Sequence, residues 1–187
     1  MLYDDSKVLV RKETPADVQG IHALHVASFP GESEAKLVDA LRAAGRLSAS
    51  LVAVERNELI GHVAFSPVTI DGAVSAIGQG LAPVAVRADY RRRGIAERLV
   101  RDGLELCSRA GTGFVVVLGE PRYYTRFGFQ PARRFALRDE YAAGDAFQVL
   151  ELVRGAIAPE GGLVRYSPEF AALDTRSSAQ DLPDVGR

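Results

Sequence analysis

The segment from Leu81 to Leu118 constrains the fold more than any other part of the chain. It runs from the apolar stretch "LAPVAV" (Leu81 to Val86) through the basic turn "YRRRG" (Tyr90 to Gly94) to the apolar stretch "FVVVL" (Phe114 to Leu118). Apolar residues between the turn and the last stretch recur at helical spacing, which predicts a helix over about Arg92 to Arg109. A run as short and β-branched as the last one is typical of a fully buried strand. The segment therefore predicts a right-handed β-α-β crossover with parallel strands.

The remaining periodic segments predict further strands and two earlier helices. Thr14 and Pro15 form a helix-start signal, and a second helix is predicted from about Glu34 to Ala44. Strands are predicted over Lys7 to Glu13, Ser50 to Glu55, Leu59 to Val68, Ala73 to Gly78 and Ala146 to Val153. The predicted fold class is α/β, an α+β mixed sheet that is antiparallel in its N-terminal half and parallel at the crossover.

Length and composition indicate one globular domain, because the chain has 187 residues with 47% hydrophobic and 25% charged side chains. We assign the domain to residues 1–173 and expect a disordered tail over residues 174–187, which are polar and aperiodic. The formal net charge is −1, so no global field favours nucleic acid or an anionic membrane. Positive charge is local, since the stretch from Arg87 to Asp102 carries a net +3. This distribution favours a small anionic ligand.

Cysteine usage and hydropathy indicate the compartment. Cys107 is the only cysteine, which fits a reducing environment. The first residues are charged and lack the apolar core of a signal peptide. No apolar run approaches the 18 or so residues that span a bilayer. We therefore expect a cytoplasmic protein with no membrane partner.

The basic turn has the features of a phosphate-binding helix start. The first N–H groups of a helix lack partners, and its N-terminus carries about half a positive charge. Three arginines add to that charge, while Gly94 and Ala96 keep side-chain bulk off the backbone. The sequence has no P-loop lysine here and no three-glycine dinucleotide fingerprint. The turn suits a diphosphate, although a solvated basic turn before an amphipathic helix explains the same residues.

The strand before the turn adds a second feature. Pro83 lacks an N–H and cannot donate to a neighbouring strand. If the strand splays from its parallel partner there, backbone groups from Val84 to Val86 face a gap in which an extended amide-containing ligand can pair. A diphosphate joined to a peptide-like arm describes coenzyme A.

These motifs resemble those of the GCN5-related N-acetyltransferase (GNAT) superfamily. Its first signature, Arg/Gln-x-x-Gly-x-Gly/Ala after the fourth strand, matches Arg91 to Ala96, and its second, a short aromatic helix closing in Gly-Phe, matches Tyr123 to Phe129. The stretches "GHVAFSPV", "LAPVAV", "VLGEPRYYTRFGF" and "LVRYSPEF" resemble its YhbS-like subgroup of predicted acetyltransferases. The resemblance covers about Val8 to Leu173. It implies the GNAT acyl-CoA N-acyltransferase fold with a splayed parallel pair, and acetyl-CoA as acetyl donor.

The resemblance also implies roles for individual residues. Backbone groups of the strand should hold the pantetheine arm and thioester carbonyl, and amides of the turn should hold the pyrophosphate. These cofactor-binding residues are Val84, Ala85 and Val86 in the strand and Arg91, Arg92, Arg93, Gly94, Ile95 and Ala96 in the turn, with Arg92 and Arg93 reaching phosphates. Many members carry a pantetheine-binding asparagine after the fifth strand. Here Gly119 to Pro121 occupies that region, so no side-chain ligand is assigned.

Tyr124 and Glu120 are the catalytic candidates. Tyr124 matches the tyrosine that protonates the leaving thiolate in many members of the family, and a phenol within hydrogen-bond reach can do so. The alternative is a buried aromatic whose hydroxyl bonds to backbone. Glu120 follows the buried strand and can accept the amine proton directly or through water. Its alternative is charge complementation of a helix N-terminus.

Other polar residues are weaker candidates for a role in catalysis or binding. Glu32 and Glu34 can attract a cationic amine or cap a helix, and His62 is a weaker candidate for the base. His22 and His25 have no partner at metal-ligand spacing and are expected to be surface or half-buried residues. Cys107 is expected to pack within its helix. No metal is expected.

The leading hypothesis is therefore an acetyl-CoA-dependent N-acetyltransferase that acts on an amine by direct transfer. The alternative is a non-catalytic acyl-CoA-binding regulatory module on the same fold. Nucleic-acid binding is disfavoured because the arginines are confined to one turn. The acceptor is a small-molecule or peptide amine whose identity the sequence does not give, and a sheet edge makes a homodimer possible.

Overall fold

Residues 8–72 and 77–172 are described by a computed structural model of the chain. The predicted tail and most of the strand predicted over Ala73 to Gly78 lie outside the described residues. The helices are α1 (Val18–Ser28), α2 (Ser33–Ala43), α3 (Ile95–Arg109) and α4 (Pro121–Tyr124). The strands are β1 (Val8–Lys12), β2 (Ala49–Glu55), β3 (Glu58–Ile70), β4 (Gly78–Val86), β5 (Phe114–Leu118), β6 (Gln130–Pro131), β7 (Leu137–Asp139), β8 (Phe147–Glu151) and β9 (Gly162–Arg165).

Within the described ranges the strands form one nine-stranded mixed sheet. Its main order is β1-β2-β3-β4-β5-β8-β6, and β9 joins it by pairing with both β3 and β7. The pairs from β1 to β4 are antiparallel, whereas β4 and β5 are parallel. The helix between β4 and β5 supplies the crossover that a parallel pair needs. The predicted mixed sheet and its parallel pair are confirmed.

Alternation along β3 assigns the helices to opposite faces. A Cβ on Gly61 would meet Leu99 and Ile95 of α3 at 2.9 and 3.1 Å, so Gly61 faces α3. Ala64, three residues further along β3, points to the other face and packs with Ile21 of α1 in a separate buried cluster. Side chains alternate between faces along a strand. The His62 side chain therefore points to the face of the sheet that carries α1 and α2. Helix α3 covers the opposite face.

The parallel pair separates after three residues, as the sequence predicts. Gly78 to Gly80 pair with Phe114 to Val116. Beyond that point β4 continues to pair with β3 through Val84 to Val86, and β5 continues to pair with β8. One side of the second half of β4 therefore faces a gap.

Helix α3 begins three residues later than its sequence predicts. Gly94 is its N-cap with φ +76°, and Arg92 lies at φ +60°. Two left-handed residues so close together prevent helical geometry through the turn. The three consecutive arginines therefore stand before the helix rather than in its first turn.

Candidate active site

The turn before α3 presents backbone N–H groups to open space. The first intrahelical bond is donated by the Arg98 N–H to the Gly94 carbonyl at 2.9 Å. The preceding N–H groups of the helix have no intrahelical partner. A Cβ added to Gly94 would meet nothing within 4 Å. The alternation of left-handed and other residues gives such a turn a concave row of donors that suits an anion.

The arginines near this turn divide into paired and unpaired side chains. Arg87 donates to Glu58 and Asp89, and Arg101 pairs with Glu97. In contrast, Arg91 and Arg92 have no carboxylate partner within the described part of the chain. Arg93 lies over the Tyr90 ring, with 4.7 Å between its guanidinium carbon and the ring centroid. The local positive charge is therefore concentrated at the turn.

The ladder between β3 and β4 determines which backbone groups face the gap. The Arg87 N–H donates to the Ile60 carbonyl at 2.9 Å, and the register pairs His62 with Ala85. Bonded pairs alternate with non-bonded pairs along an antiparallel ladder. The N–H and C=O of Ala85 therefore point toward β3, and those of Val84 and Val86 point into the gap.

This geometry distinguishes the three residues predicted to bind pantetheine. The backbone groups of Val84 and Val86 point into the gap, whereas those of Ala85 point toward β3. The Arg91 side chain reaches the same edge, where its Nε donates to the Val86 carbonyl at 3.2 Å. The turn and the strand edge thus form one continuous polar surface.

Tyr124 lies beside the end of β5. Its ring packs so closely on Gly119 that a Cβ there would overlap Cε2 of the tyrosine. Phe129 meets the ring edge-on at 5.7 Å between centroids. Burial, followed by the nearby Tyr123, raises the pKa of Tyr124 well above its usual range, so the phenol stays protonated. Among the described residues, no backbone group bonds to its hydroxyl.

Glu120 is the N-cap of α4. Its carboxylate accepts a hydrogen bond from the Arg122 backbone N–H at 3.3 Å, and the side chain is exposed. This contact matches the alternative of helix N-terminal complementation. The base role of Glu120 stays a prediction.

A buried polar network lies on the face of the sheet that carries α1 and α2, and the sequence analysis did not predict it. His25 Nε2 is 2.8 Å from His62 Nδ1, and His62 Nε2 is 2.8 Å from the Ser50 hydroxyl. The hydroxyl in turn contacts Glu13, whose carboxylate takes two bonds from Arg42 at 2.8 and 3.0 Å. The prediction of a surface or half-buried His25 is wrong, because its side chain is 0% exposed.

The pKa values in this network favour neutral histidines and an ionised glutamate. Burial lowers the pKa of His25 to about 2, with further lowering by His62, Arg42 and His22. Burial also lowers the pKa of His62, although Glu13 opposes that shift. Burial alone would raise the pKa of Glu13, but the nearby His62 and the hydrogen bonds from Arg42 and Ser50 hold it well below its usual range. The apolar positions around His62 in its strand were the only sequence signal of this burial.

The remaining candidates have local partners or are buried within a helix. His22 contacts Asp39 at 2.7 Å, and Glu32 pairs with Lys36 at 2.9 Å. Cys107 is buried in α3, where desolvation raises its pKa to about 11. Among residues 8–72 and 77–172, no group of three or more His, Cys, Asp or Glu side chains is arranged to hold a metal ion. The same residues include no helix that is long and apolar enough to cross a membrane.

Comparison with known proteins identifies the family of the chain. Residues 9–132 match the family model of the acetyltransferase (GNAT) domain. The uncharacterised N-acetyltransferase YhbS of Escherichia coli K12 is 42% identical over 165 residues, which cover 87% of this chain and 98% of YhbS. A second relative in Escherichia coli K12, the uncharacterised N-acetyltransferase YjhQ, is 34% identical over 119 residues, or 62% of this chain and 66% of YjhQ.

Two solved structures of similar proteins hold the ligand that the sequence motifs imply. The crystal structure of Escherichia coli YhbS in complex with CoA has a TM-score of 0.84 at 42% identity and covers 88% of this chain and 92% of that one. A GNAT family acetyltransferase from Brucella melitensis in complex with acetyl-CoA has a TM-score of 0.73 at 37% identity and covers 87% and 97%. The splayed parallel pair, the glycine turn before α3 and these matches show that the chain belongs to the GNAT acetyltransferase family.

Proposed function

We propose that this protein is an acetyl-CoA-dependent N-acetyltransferase that transfers an acetyl group directly to an amine. The observation that carries the proposal is the continuous polar surface formed by the gap edge of β4 and the turn before α3. It offers backbone partners for an amide-containing arm next to donors for a diphosphate. The relatives crystallised with CoA and acetyl-CoA support the same ligand.

The residues of this surface fit the parts of acetyl-CoA in order. The turn from Arg91 to Ala96 would hold the pyrophosphate through backbone N–H groups, and Arg92 is free of carboxylate partners in the described chain. Backbone groups of Val84 and Val86 would pair with the pantetheine amides. Bound there, acetyl-CoA supplies an activated acetyl thioester.

Two groups at the open end of the gap can assist the transfer. A strand N–H from Val84 or Val86 can stabilise negative charge that develops on the carbonyl oxygen, typically by about 3–4 kcal/mol per donor. Tyr124 can donate a hydrogen bond to the departing sulfur. A free thiol has a pKa of about 8.5, below the raised pKa of Tyr124. Complete proton transfer from Tyr124 is therefore uphill, so hydrogen-bond donation is its main contribution.

The amine must lose a proton before or during attack. Glu120 stands two residues beyond the end of β5 and is exposed, so it can accept that proton through water. Its capping bond occupies only one carboxylate oxygen. We retain Glu120 as the proposed base on these grounds.

An acetyl-CoA consumption screen tests the proposed function. The full chain is mixed with acetyl-CoA and single amines from four classes: polyamines, aromatic amines, amino acid amides and peptides with a free N-terminus or lysine. Thiol release and the mass of the acetylated product are measured. We expect turnover of at least one amine, and a Glu120→Gln variant, which keeps a capping oxygen, should lose rate at neutral pH and regain it as pH rises.

The regulatory alternative predicts a different result. CoA would bind in calorimetry, but no amine of any class would be acetylated above the rate without protein. That outcome would reject the catalytic proposal while leaving the ligand assignment intact. Absence of CoA binding would reject both.

A further inference from the structure

The buried network on the α1 and α2 face fixes the hydrogen positions of both histidines. Its anchor is the Glu13 carboxylate, which Arg42 holds with two hydrogen bonds. An ionised carboxylate only accepts hydrogen bonds, so the single hydroxyl proton of Ser50 must point to Glu13. The order of donors and acceptors along the rest of the chain follows from that one constraint.

The Ser50 oxygen can then only accept from His62. The bond from His62 Nε2, at 2.8 Å, must therefore carry the proton on Nε2. A neutral imidazole has one N–H and one lone pair, so Nδ1 of His62 is an acceptor. That atom lies 2.8 Å from Nε2 of His25, which must donate. His25 is left with a lone pair on Nδ1.

This lone pair has no partner in the described structure. The Nδ1 atom of His25 is buried and makes no hydrogen bond to any described residue, and the whole side chain is 0% exposed. An unsatisfied buried acceptor destabilises the folded state. A buried polar atom of this kind calls for a functional explanation, because most buried polar side-chain atoms are paired.

His25 is linked through His62 to the part of β3 that pairs with the gap-lining end of β4. His62, to which it is bonded, stands directly opposite Ala85 in the β3–β4 ladder. Opposite residues of a ladder place their side chains on the same face, about 5 Å apart. Ala85 lies between the two residues whose backbone faces the gap. The imidazole of His25 is covered by Phe29, stacked at 5.8 Å between ring centroids and only half-buried itself.

We propose that Nδ1 of His25 accepts a hydrogen bond from the amino group of the acetyl acceptor and so positions the nucleophile on the α1 and α2 face. This inference rests on the proposed function and names a substrate contact for it. The Glu13–Ser50–His62 chain acts as a positioning device, because it holds His25 in the one tautomer that presents an acceptor. Phe29 covers the imidazole, so its ring moves aside when the amine binds.

Histidine NMR tests the tautomer without any need for activity. Long-range ¹H–¹⁵N spectra of ¹⁵N-histidine-labelled protein distinguish the two tautomers of each ring, and a His22→Gln variant assigns the third of the three histidines. We expect Nε2–H on both His25 and His62 at neutral pH. In Ser50→Ala, the constraint from Glu13 is lost, and His62 should show a mixture. A protonated Nδ1 on His25 in the wild type would overturn the proposal.

The same spectra detect the amine directly. CoA-saturated protein is titrated with spermidine, tyramine, glycinamide and trialanine as probes. At least one should shift the Nδ1 resonance of His25 in a saturable way. If none of the four shifts that resonance, the lone pair does not bind amines and the proposal is wrong. A saturable shift without turnover would support this contact while rejecting the catalytic proposal.

A matched pair of variants separates recognition from folding. His25→Gln keeps a donor for His62 but removes the acceptor at the δ position, whereas Ser50→Ala keeps the His25 imidazole and removes only the constraint on its tautomer. For an amine that is turned over, His25→Gln should raise its KM by roughly 3- to 10-fold, the size of one neutral hydrogen bond. The Kd for CoA should be unchanged. An unchanged amine KM in His25→Gln would count against the contact.

Discussion

Two adjacent tyrosines on α4 occupy different environments at the level of single residues. Tyr123 is covered by Arg126, whose guanidinium carbon lies 4.6 Å from the ring centroid, and its hydroxyl is buried without a partner among the described residues. Burial, opposed by Arg126, raises the pKa of Tyr123 to about 12. Tyr124 instead lies against Gly119 at the end of β5. Residue type alone does not distinguish the two phenols, whereas the family resemblance assigns the acid role to Tyr124.

Replacing Tyr124 with phenylalanine should slow the transfer without weakening donor binding. A hydrogen bond to a charged group contributes about 1.5–3 kcal/mol, so kcat should fall about 10- to 100-fold while the KM for acetyl-CoA stays the same. Steady-state kinetics with the best amine from the screen measures both. Tyr123→Phe is the control, since it removes an unpaired hydroxyl and should leave kcat unchanged. Equal kcat values for the two variants would remove Tyr124 from the mechanism.

Helix α3 provides a matched comparison at the level of the element. Gly94 precedes it at φ +76° and Gly111 follows it at φ +80°, and a Cβ at either position would meet nothing within 4 Å. Both glycines are required by the left-handed backbone rather than by packing. Only Gly94 belongs to the turn that would hold the pyrophosphate.

Alanine at either glycine should cost similar stability but should affect ligand binding differently. Each substitution forces an L-residue into the left-handed region, at about 1 kcal/mol in the free energy of unfolding. Gly94→Ala should also raise the Kd for CoA by at least about tenfold, because the new methyl group would stand in the turn that we propose holds the pyrophosphate. Urea denaturation and calorimetry provide the two measurements. If Gly111→Ala weakened CoA binding as much, the effect would be one of helix stability.

The elements around this helix were predictable because their signals are local. A short β-branched run, a glycine turn and helical periodicity lie within 38 residues of sequence, and they gave the parallel pair. Pro83, in the same segment, gave its separation. The exact start of α3 was not predictable, because the left-handed conformation of Arg92 has no residue-type signal. Likewise, the orientation of Ala85 toward β3 depends on ladder register, which a single strand does not encode.

At the scale of the whole molecule, the buried histidine network shows where sequence reasoning stops. Its members come from α1, α2, β2, β3 and the residue after β1, and Ser50 is separated from Glu13 by 37 positions. Each residue alone looks like a surface or strand residue of ordinary type. The network appears only when the sheet register places His62 beneath α1, where His25 can reach it at 2.8 Å. It joins the N-terminal elements through polar contacts in addition to their apolar core.

This network should make the whole fold sensitive to mild acid. The folded-state pKa of His25 is lowered from 6.5 to about 2, so between these values the unfolded chain binds a proton that the folded chain does not. Stability is therefore complete above about pH 6.5 and is lost as pH falls, by up to about 1.4 kcal/mol per pH unit for one buried histidine. The lowered pKa of Glu13 has the same sign but acts at lower pH, below the usual range of a carboxyl.

Urea denaturation between pH 7.5 and pH 5 measures this dependence. The free energy of unfolding of the wild type should fall steeply below pH 6.5, and His25→Gln should flatten the curve because one of the two buried imidazoles is gone. His22→Gln is the control, since that ring is partly exposed, with 41% of its side-chain surface accessible, and its removal should keep the slope. A wild-type curve that stays level down to pH 5 would mean that the histidines take up protons in the folded state. The neutral, tautomer-fixed network would then not exist in solution.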